Sequence, residues 1–351
     1  MKGYILLADG TKLAGTLVGP AKTAFGWLVA NTSVVGFQEM VTDPAYKGAI
    51  LAFTYPEVGN VGVAAGFSES PLVQVEGLVV KVLSEYRSHY LSEDDFRNLL
   101  AKDGVPCLAG VDTRALAVRL RDAGEMPAAI ALEGTDPETL KRPLARRERP
   151  EFRPSKTAPV PPSQSALKVA VLSLGVRRSL VQQLSSCSAV EIFPPDAAVQ
   201  DIMAARPAGV LISDGPGTCL PPMKAVDTIK ELIGRAPLLG CGLGHVALGM
   251  ALECAPTFLK RGHHGANYPV RNVLTGKVEV TQQRHTVALD RRSLEGKPGV
   301  EVLSENVNDG TVEGFRATGL SAVGFQQILV APQAGLVNAH LKAFVDGLLG
   351  K

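Results

Sequence analysis

The feature that most constrains this chain is the regular alternation of apolar and amphipathic runs from residue 167 onward. Short apolar stretches such as LKVAVLS (167–173) and AGVLIS (208–213) alternate with helical patterns such as PMKAVDTIKELIG (222–234). Strands and helices that alternate at this spacing form a parallel sheet covered by helices. The alternation therefore predicts a doubly wound α/β domain over residues 167–351.

Two glycine-rich turns follow strands of this predicted sheet, at the end where doubly wound domains bind ligands. SDGPGTCLPP begins at Ser213 after the third strand, and GCGLGH begins at Gly240, where the fourth strand ends. The first turn is equally consistent with a loop that faces an anion or oxyanion and with a tight turn required only for packing. The second turn has the strand–turn–helix arrangement of a nucleophile elbow, yet its tip is Gly242, which has no side chain that could attack.

Residues 141–166 mark the strongest change of composition along the chain. The stretch KRPLARRERPEFRPSKTAPVPPSQSA holds six prolines and a basic cluster from Lys141 to Arg153. Because proline removes backbone donors and resists helix formation, we expect a linker between domains at 1–140 and 167–351. The basic run is expected to be a solvated face, and a docking strip for an acidic partner surface is the alternative.

Before the linker, short apolar runs separated by turn residues predict a β-rich domain with packed helices. The tripeptide ADG (8–10), between two such runs, predicts a hairpin. Helical patterns follow around Glu93–Lys102 and Asp112–Ala123, the second with Asp112 as N-cap and Gly124 as terminator. The residues of that helix expected to be buried are Leu116, Val118 and Leu120.

Composition excludes several classes of function. A net charge of +2, with 46% hydrophobic and 20% charged residues, is ordinary for a soluble globular protein and suggests no nucleic-acid partner. The sequence has no apolar run long enough to span a membrane, and the N-terminus lacks the apolar core of a signal peptide, so we expect a cytoplasmic protein. Five cysteines without a C-x-x-C spacing predict neither a disulfide framework nor a zinc site.

Ordered motifs along nearly the whole chain resemble those of the carbamoyl phosphate synthetase small subunit. They are NTSVVGFQEMVTDPAY (31–46), FTYPEVGNVG (53–62), AGVDTRAL (109–116), LISDGPG (211–217), GCGLGHVALG (240–249), GHHGANYPV (262–270) and DGTVEGFR (309–316). The resemblance implies an N-terminal domain peculiar to that family, followed by a flavodoxin-like class I glutamine amidotransferase domain. In the family the second domain hydrolyses glutamine. The ammonia passes through a tunnel to a large ATP-using subunit, which makes carbamoyl phosphate for pyrimidines and arginine.

The positions of the family's catalytic triad hold no catalytic side chain in this sequence. The family's elbow is Gly-Ile-Cys-Leu-Gly-His-Gln, and Gly242 stands where the family has the nucleophilic cysteine. In the segment that corresponds to the family's Phe-Gln-Gly-His-Pro-Glu, Ile328 replaces the histidine base and Val330 the glutamate that orients it. A chain without this sulfur cannot form the acyl-enzyme, and an apolar side chain can neither accept a proton nor hold an imidazole. We therefore expect no glutamine hydrolysis.

The family's glutamine-binding residues are partly replaced as well. Val246 occupies the position of a family glutamine that contacts the substrate. The segment Gln283–Val287 corresponds to the family's Gln-Asn-His-Gly-Phe. The matching glutamine-site positions that remain are Ser33, Gly215, Gly217 and Leu243. Because these residues also suit turns and packing, we expect them to be structural remains of a substrate site.

Three rival sites are weaker. Side chains alternate along a strand, so Cys241 is expected to point into the sheet packing rather than serve as a displaced nucleophile, and Cys219 is weaker still. The G-x-G-x-x-A pattern that begins at Gly242 follows the fourth strand and has no downstream acidic residue, unlike a dinucleotide-binding turn. Adjacent His263 and His264 point apart, which favours a loop over a metal site. We expect no metal and no cofactor.

Three functions are compatible with these motifs. The first is a non-catalytic subunit that still binds a synthetase large subunit, which then uses free ammonia. The second is a pseudoenzyme with a new scaffolding or binding role outside carbamoyl phosphate synthesis. The third, an active amidotransferase with altered residues, is disfavoured by the loss of the triad. The N-terminal half, which supplies much of the family's docking surface, keeps its motifs better than the active site does, and this favours the first. The loss of all three triad residues and of pocket residues favours the second, so these two readings are close.

Overall fold

The computed structural model describes residues 1–157, 159–163 and 165–350. Two residues of the predicted linker, Ala158 and Gln164, lie outside the described residues. The chain forms two compact units: unit 1 comprises Met1–Glu151 and Lys260–Gly265, and unit 2 comprises Phe152–Leu259 and Ala266–Lys351. The predicted N-terminal domain, in contrast, is contiguous and ends at residue 140. Among the described residues, no helix is both long and apolar enough to cross a membrane.

Unit 1 is built on a closed barrel of seven strands in the order β1, β2, β8, β6, β4, β3, β9, with β9 pairing back onto β1. The strands of unit 1 are β1 (Lys2–Leu7), β2 (Lys12–Val18), β3 (Ala24–Asn31), β4 (Ala49–Phe53), β5 (Glu57–Val58), β6 (Gly77–Val79), β7 (Val82–Leu83), β8 (Cys107–Ala109) and β9 (Met126–Leu132). The antiparallel pair β1–β2 confirms the hairpin predicted at ADG. Inward-facing apolar residues such as Ile5, Ile50 and Leu108 fill the barrel.

Four α-helices accompany the barrel: α1 (Phe37–Val41), α2 (Phe96–Lys102), α3 (Thr113–Ala123) and α4 (Pro137–Ala145). In α3, the Asp112 carboxylate accepts a hydrogen bond from the backbone N–H of Ala115 at 2.9 Å, as the N-cap prediction requires. Leu116 and Leu120 are buried as predicted. The prediction for Val118 was wrong: it is 42% exposed, because a residue two positions from Leu116 faces the opposite side of the helix.

Helix α4 occupies the start of the segment predicted as a linker, so residues 141–145 are helical rather than extended. Asp136 caps the helix by accepting from the N–H of Glu138 at 3.0 Å, and Pro137 takes the first turn, where no donor is needed. Leu140 and Leu144 bury one face against β1 and β9. Burial of this face outweighs the helix-breaking tendency of Pro143, which the sequence analysis overweighted.

Unit 2 contains the predicted parallel sheet, extended by antiparallel strands. Its strands and helices are β10 (Lys168–Leu172), α5 (Arg178–Ser185), β11 (Ala189–Phe193), α6 (Val199–Ala204), β12 (Gly209–Ile212), α7 (Met223–Leu232), β13 (Leu238–Cys241), α8 (Leu243–Ala251), β14 (Pro256–Asn272), β15 (Val278–Leu289), α9 (Arg291–Glu295), β16 (Val300–Asn306), β17 (Val312–Ala317), β18 (Ala322–Phe325) and α10 (Ala339–Leu348). The order is β11-β10-β12-β13-β18-β17-β16-β14-β15, and the first five strands are parallel. The doubly wound prediction is confirmed for this part.

Candidate functional site

The elbow, the SDGPG turn and the 326–330 segment follow three neighbouring parallel strands of unit 2. Strand β13 lies between β12 and β18, and its last residue, Cys241, pairs with Phe325. The N–H of Gly242 donates to the carbonyl of Phe325 at 2.9 Å, which joins the elbow tip to the start of the 326–330 segment. The topology thus places the predicted unit 2 site residues at the carboxyl ends of these strands, the usual position of a site in such a fold.

The elbow keeps the backbone of a nucleophile turn although it lacks the nucleophile. Gly242 has φ 54° and ψ −119°, a conformation that residues with a side chain rarely adopt, and it immediately precedes α8. A Cβ on Gly240 would lie 2.6 Å from the carbonyl oxygen of Gly244, and a Cβ on Gly244 would lie 2.2 Å from that of Ile212. These close approaches explain why the glycines around the tip are needed for the turn itself.

The other two triad positions contribute only apolar side chains. Ile328 is 7% exposed, and its N–H donates to the carbonyl of Gln282 at 2.9 Å. Val330 is 38% exposed, and its carbonyl accepts from the side-chain amide of Asn338 at 3.0 Å. The backbone of this segment is therefore held in place, while its side chains offer no group that could accept or orient a proton.

The remaining glutamine-site positions of unit 2 have packing reasons for their identity. A Cβ on Gly215 would lie 2.3 Å from the carbonyl oxygen of Leu174, and one on Gly217 would lie 1.9 Å from that of Arg284. The Gly217 carbonyl also accepts from the N–H of Thr286 at 2.7 Å. Leu243 is buried in the core beneath the sheet.

The fourth such position, Ser33, belongs to unit 1. It lies just after β3, and its N–H donates to the side-chain oxygen of Asn31 at 2.7 Å. Asn31 in turn is buried and donates to the Tyr46 hydroxyl at 2.6 Å. The local bonding of Ser33 is thus that of an Asx turn.

The cysteines nearest the elbow are poor nucleophiles. Cys241 is buried among the apolar residues on the far face of β13, with Sγ 3.5 Å from the carbonyl oxygen of Ile212. Burial, and then the neighbouring Asp214 carboxylate, hold the pKa of the Cys241 thiol far above its usual value. Burial raises the pKa of Cys219 to about 12. Since the thiolate is the reactive form, the raised pKa values disfavour both cysteines as nucleophiles at neutral pH.

A buried ion pair that was not predicted from the sequence lies beside the elbow. The Arg177 Nε donates to the Asp214 carboxylate, and Arg177 Nη1 donates to the Ser179 hydroxyl at 2.9 Å. The two side chains are only 2% and 4% exposed. Asp214 lies in the SDGPG turn that the sequence singles out, but its pairing with Arg177 depends on β10 and β12 being adjacent and parallel, which only the sheet shows.

His245, on the first turn of α8, is also fully buried. Its ring lies 5.0 Å from that of Phe315, and a Cβ on Gly324 would come within 2.8 Å of its Nδ1. Burial lowers the pKa of His245 to about 3, so the ring is neutral over the whole physiological range. Its position inside the core makes it a packing residue rather than a base for the elbow.

Comparison with known proteins matches both parts of the chain to described families. Residues 5–130 match the CPSase domain of the carbamoyl-phosphate synthase small chain, and residues 171–327 match class-I glutamine amidotransferase. The chain is 39% identical to the carbamoyl phosphate synthase small chain of Methanopyrus kandleri, over 95% of this chain and 94% of that protein. This chain belongs to the carbamoyl phosphate synthase small chain family.

Further members of the family show similar agreement. Identity is 38% to the small chain of Archaeoglobus fulgidus, over 90% of this chain and 89% of that one. Identity is 35% to the small chain of Caldanaerobacter subterraneus, over 90% of this chain and 87% of that one. The resemblance inferred from the motifs is therefore confirmed, as is the fold it implied, with a β-rich first part and an amidotransferase-like second part.

Proposed function

We propose that this member of the carbamoyl phosphate synthase small chain family does not hydrolyse glutamine and acts as a non-catalytic subunit that binds a synthetase large subunit. The observation that carries the proposal is the elbow. Its strained backbone is retained, while Gly242, Ile328 and Val330 occupy the positions of nucleophile, base and orienting carboxylate. The frame of the site is present without its reactive groups.

The chemistry of the reaction supports the first half of this proposal. Glutamine hydrolysis by this family begins when a thiolate attacks the amide carbon, and a histidine must then protonate the departing ammonia. Gly242 supplies no sulfur and Ile328 no proton. The pKa values of Cys241 and Cys219 are raised by burial, so neither thiol supplies a thiolate in its place.

The extent of the family match supports the second half. Relatives align over nearly the whole chain rather than over one unit, and unit 1 retains a complete barrel. A chain that keeps its architecture after losing its reactive groups is expected to be maintained for its surfaces. In this family the surface that matters is the one that meets the large subunit, which would then be supplied with free ammonia.

The loss of hydrolysis is tested by incubating the purified chain with glutamine and measuring glutamate. We expect no glutamate above the protein-free rate, and no change in Cys241→Ala. A family member with the intact cysteine, assayed in parallel, shows that the assay detects turnover. Glutamate formation that disappears in Cys241→Ala would overturn the proposal.

Binding is tested with the synthetase large subunit from the same organism, by size-exclusion chromatography at micromolar concentration. We expect a complex, and a changed rate of ammonia-dependent carbamoyl phosphate synthesis when the chain is added. If the two proteins elute separately and the ammonia-dependent rate is unchanged, the subunit role is wrong. A role outside carbamoyl phosphate synthesis then replaces it.

A further inference from the structure

We propose that Asp214, held in a buried ion pair with Arg177, is a second block to amidotransferase chemistry, which would disable a cysteine even if one were restored at position 242. The inference rests on the proposed loss of glutamine hydrolysis and extends it from the missing triad to the surroundings of the elbow. It assigns a role to the buried carboxylate of the SDGPG turn.

The first argument is steric. A Cβ on residue 242 would lie 2.9 Å from the Cβ and 3.3 Å from the Cα of Asp214. Both atoms are fixed to the backbone of the turn after β12, so relief requires the turn to move rather than a side chain to rotate. Any residue other than glycine at position 242 would thus be pressed against Asp214.

The second argument is electrostatic. A side chain built on this Cβ would start in contact with the residue that bears the Asp214 carboxylate, in a region from which water is excluded. Thiolate formation and the anionic tetrahedral intermediate both place negative charge at an elbow tip. A neighbouring carboxylate opposes both charges, because like charges in a buried site disfavour ionisation.

The neighbouring cysteine shows how the ion pair acts at this elbow. At Cys241, Asp214 is the stronger of the two charged influences and raises the pKa of the thiol, while Arg177 lowers it to a smaller extent. Restoring cysteine, histidine and glutamate at the three triad positions would leave this opposition in place.

The test compares Gly242→Cys with Gly242→Cys/Asp214→Asn in the full chain. Asparagine matches aspartate in shape, so the steric contact is kept and only the charge changes. Ionisation of the introduced thiol is followed by the thiolate absorbance near 240 nm, as a difference from the matching protein with glycine at position 242. Alkylation of the introduced thiol by iodoacetamide is measured by mass spectrometry of the peptide that contains residue 242.

We expect the introduced thiol of the single variant to titrate above the ordinary cysteine value of about 8.5. In the double variant its apparent pKa should fall by about one unit or more, which raises the thiolate fraction at pH 8 and makes alkylation faster, by about fivefold for a fall from 9 to 8. Since Asp214→Asn leaves a buried guanidinium opposite an amide, Arg177→Met/Asp214→Asn in the same background is the second variant. It should also lower the apparent pKa of the introduced thiol.

An introduced thiol that already titrates at or below about 8.5 in the single variant would overturn the inference, as would an unchanged pKa after removal of the Asp214 charge. These results are independent of the glutaminase assay on the unmodified chain. A chain that hydrolyses glutamine contradicts the proposed function, whatever the thiol in the Gly242→Cys variant does. A reactive thiol in that variant contradicts only the second block.

Discussion

At the scale of single residues, the buried ring of His245 gives the protein a defined response to acid. Its pKa is lowered to about 3 in the folded state, against about 6.5 in an unfolded chain. Between these values the unfolded state binds more protons than the folded state. The contribution of His245 to the free energy of unfolding therefore falls as the pH drops below about 6.5, and this fall ends near pH 3.

We expect His245→Leu to reduce the loss of unfolding free energy on acidification by about 1 kcal/mol per pH unit between about pH 6 and pH 4. The measurement is urea unfolding at several pH values, followed by far-ultraviolet circular dichroism. Trp27, the one tryptophan of the sequence, lies in unit 1, whereas His245 lies in unit 2. The fluorescence of Trp27 therefore follows the unfolding of unit 1 and serves as an internal reference.

The matched control is His89→Gln, at a partly exposed position of unit 1. This variant should keep the full pH dependence in circular dichroism. Equal pH slopes for the wild type and His245→Leu would contradict the account of His245.

Also at this scale, the motifs locate the predicted site positions but do not show which charged residues lie beside them. The positions of Gly242, Ile328 and Val330 could be predicted because the glycine and phenylalanine residues around them preserve the alignment with the family. The pairing of Asp214 with Arg177 could not, because charged residues in the loops after strands are typical of a solvated turn. Their pairing depends on the adjacency of β10 and β12, which is a property of the sheet.

At the scale of elements, α3 shows how a capping residue defines a helix. Asp112 accepts from the N–H of Ala115, and Gly124 ends the helix with φ 93°. Leu116 and Leu120, four residues apart, bury one face. The cap, the spacing of the buried residues and the terminating glycine could be predicted from the sequence because each depends only on residues close together in the chain.

We expect Asp112→Ala to lower the unfolding free energy of unit 1 by about 1 kcal/mol, because one N–H of the first turn loses its acceptor. This change in the unfolding free energy of unit 1 is measured by Trp27 fluorescence during urea unfolding. The control is Asp122→Ala in the last turn, where the carboxylate pairs with exposed Arg121; its effect should stay within about 0.5 kcal/mol. Equal effects of the two substitutions would mean that the cap does not stabilise α3.

The antiparallel extension of the unit 2 sheet was the part of the fold that local patterns did not predict. Strand β15 begins with apolar residues that face solvent, including Val280 at 72% exposure, so it lacks the alternation of a half-buried strand. Strand β14 pairs with β16 only through its last residues, Val270–Asn272. Such pairings are fixed by tertiary contacts, whereas the buried parallel strands are visible as continuous apolar runs.

At the scale of the whole molecule, one strand contributes to both compact units. Strand β14 belongs to unit 2 at its ends, while Lys260–Gly265 belongs to unit 1. Within unit 1, the carbonyl of Lys260 accepts from the N–H of Glu125 at 3.1 Å, and the Glu125 carboxylate accepts from the N–H of Gly262 at 3.0 Å. His264 Nε2 lies 3.1 Å from that same carboxylate, and both side chains are almost completely buried.

We therefore expect a fragment of residues 1–151 to be less stable than unit 1 in the full chain, by about 3 kcal/mol or more. The fragment would lack the partners that β14 supplies to the buried Glu125 carboxylate within unit 1. The unfolding free energies of the fragment and of unit 1 in the full chain are compared by urea unfolding, with Trp27 fluorescence as the signal. In the fragment, Glu125→Gln should recover part of the loss, whereas in the full chain the same substitution should destabilise unit 1. A fragment with the midpoint of the full chain would contradict this.

The same strand sets an order of events during synthesis. When the ribosome has added residue 151, all strands of the unit 1 barrel have been made. The remaining segment of unit 1, Lys260–Gly265, is not made until about 110 residues later. At roughly 5–20 residues per second, the nascent unit waits about 6–20 s for its last piece. Throughout that interval the Glu125 carboxylate lacks the partners that β14 brings, so unit 1 can be completed only after most of the first segment of unit 2, Phe152–Leu259, has been synthesised.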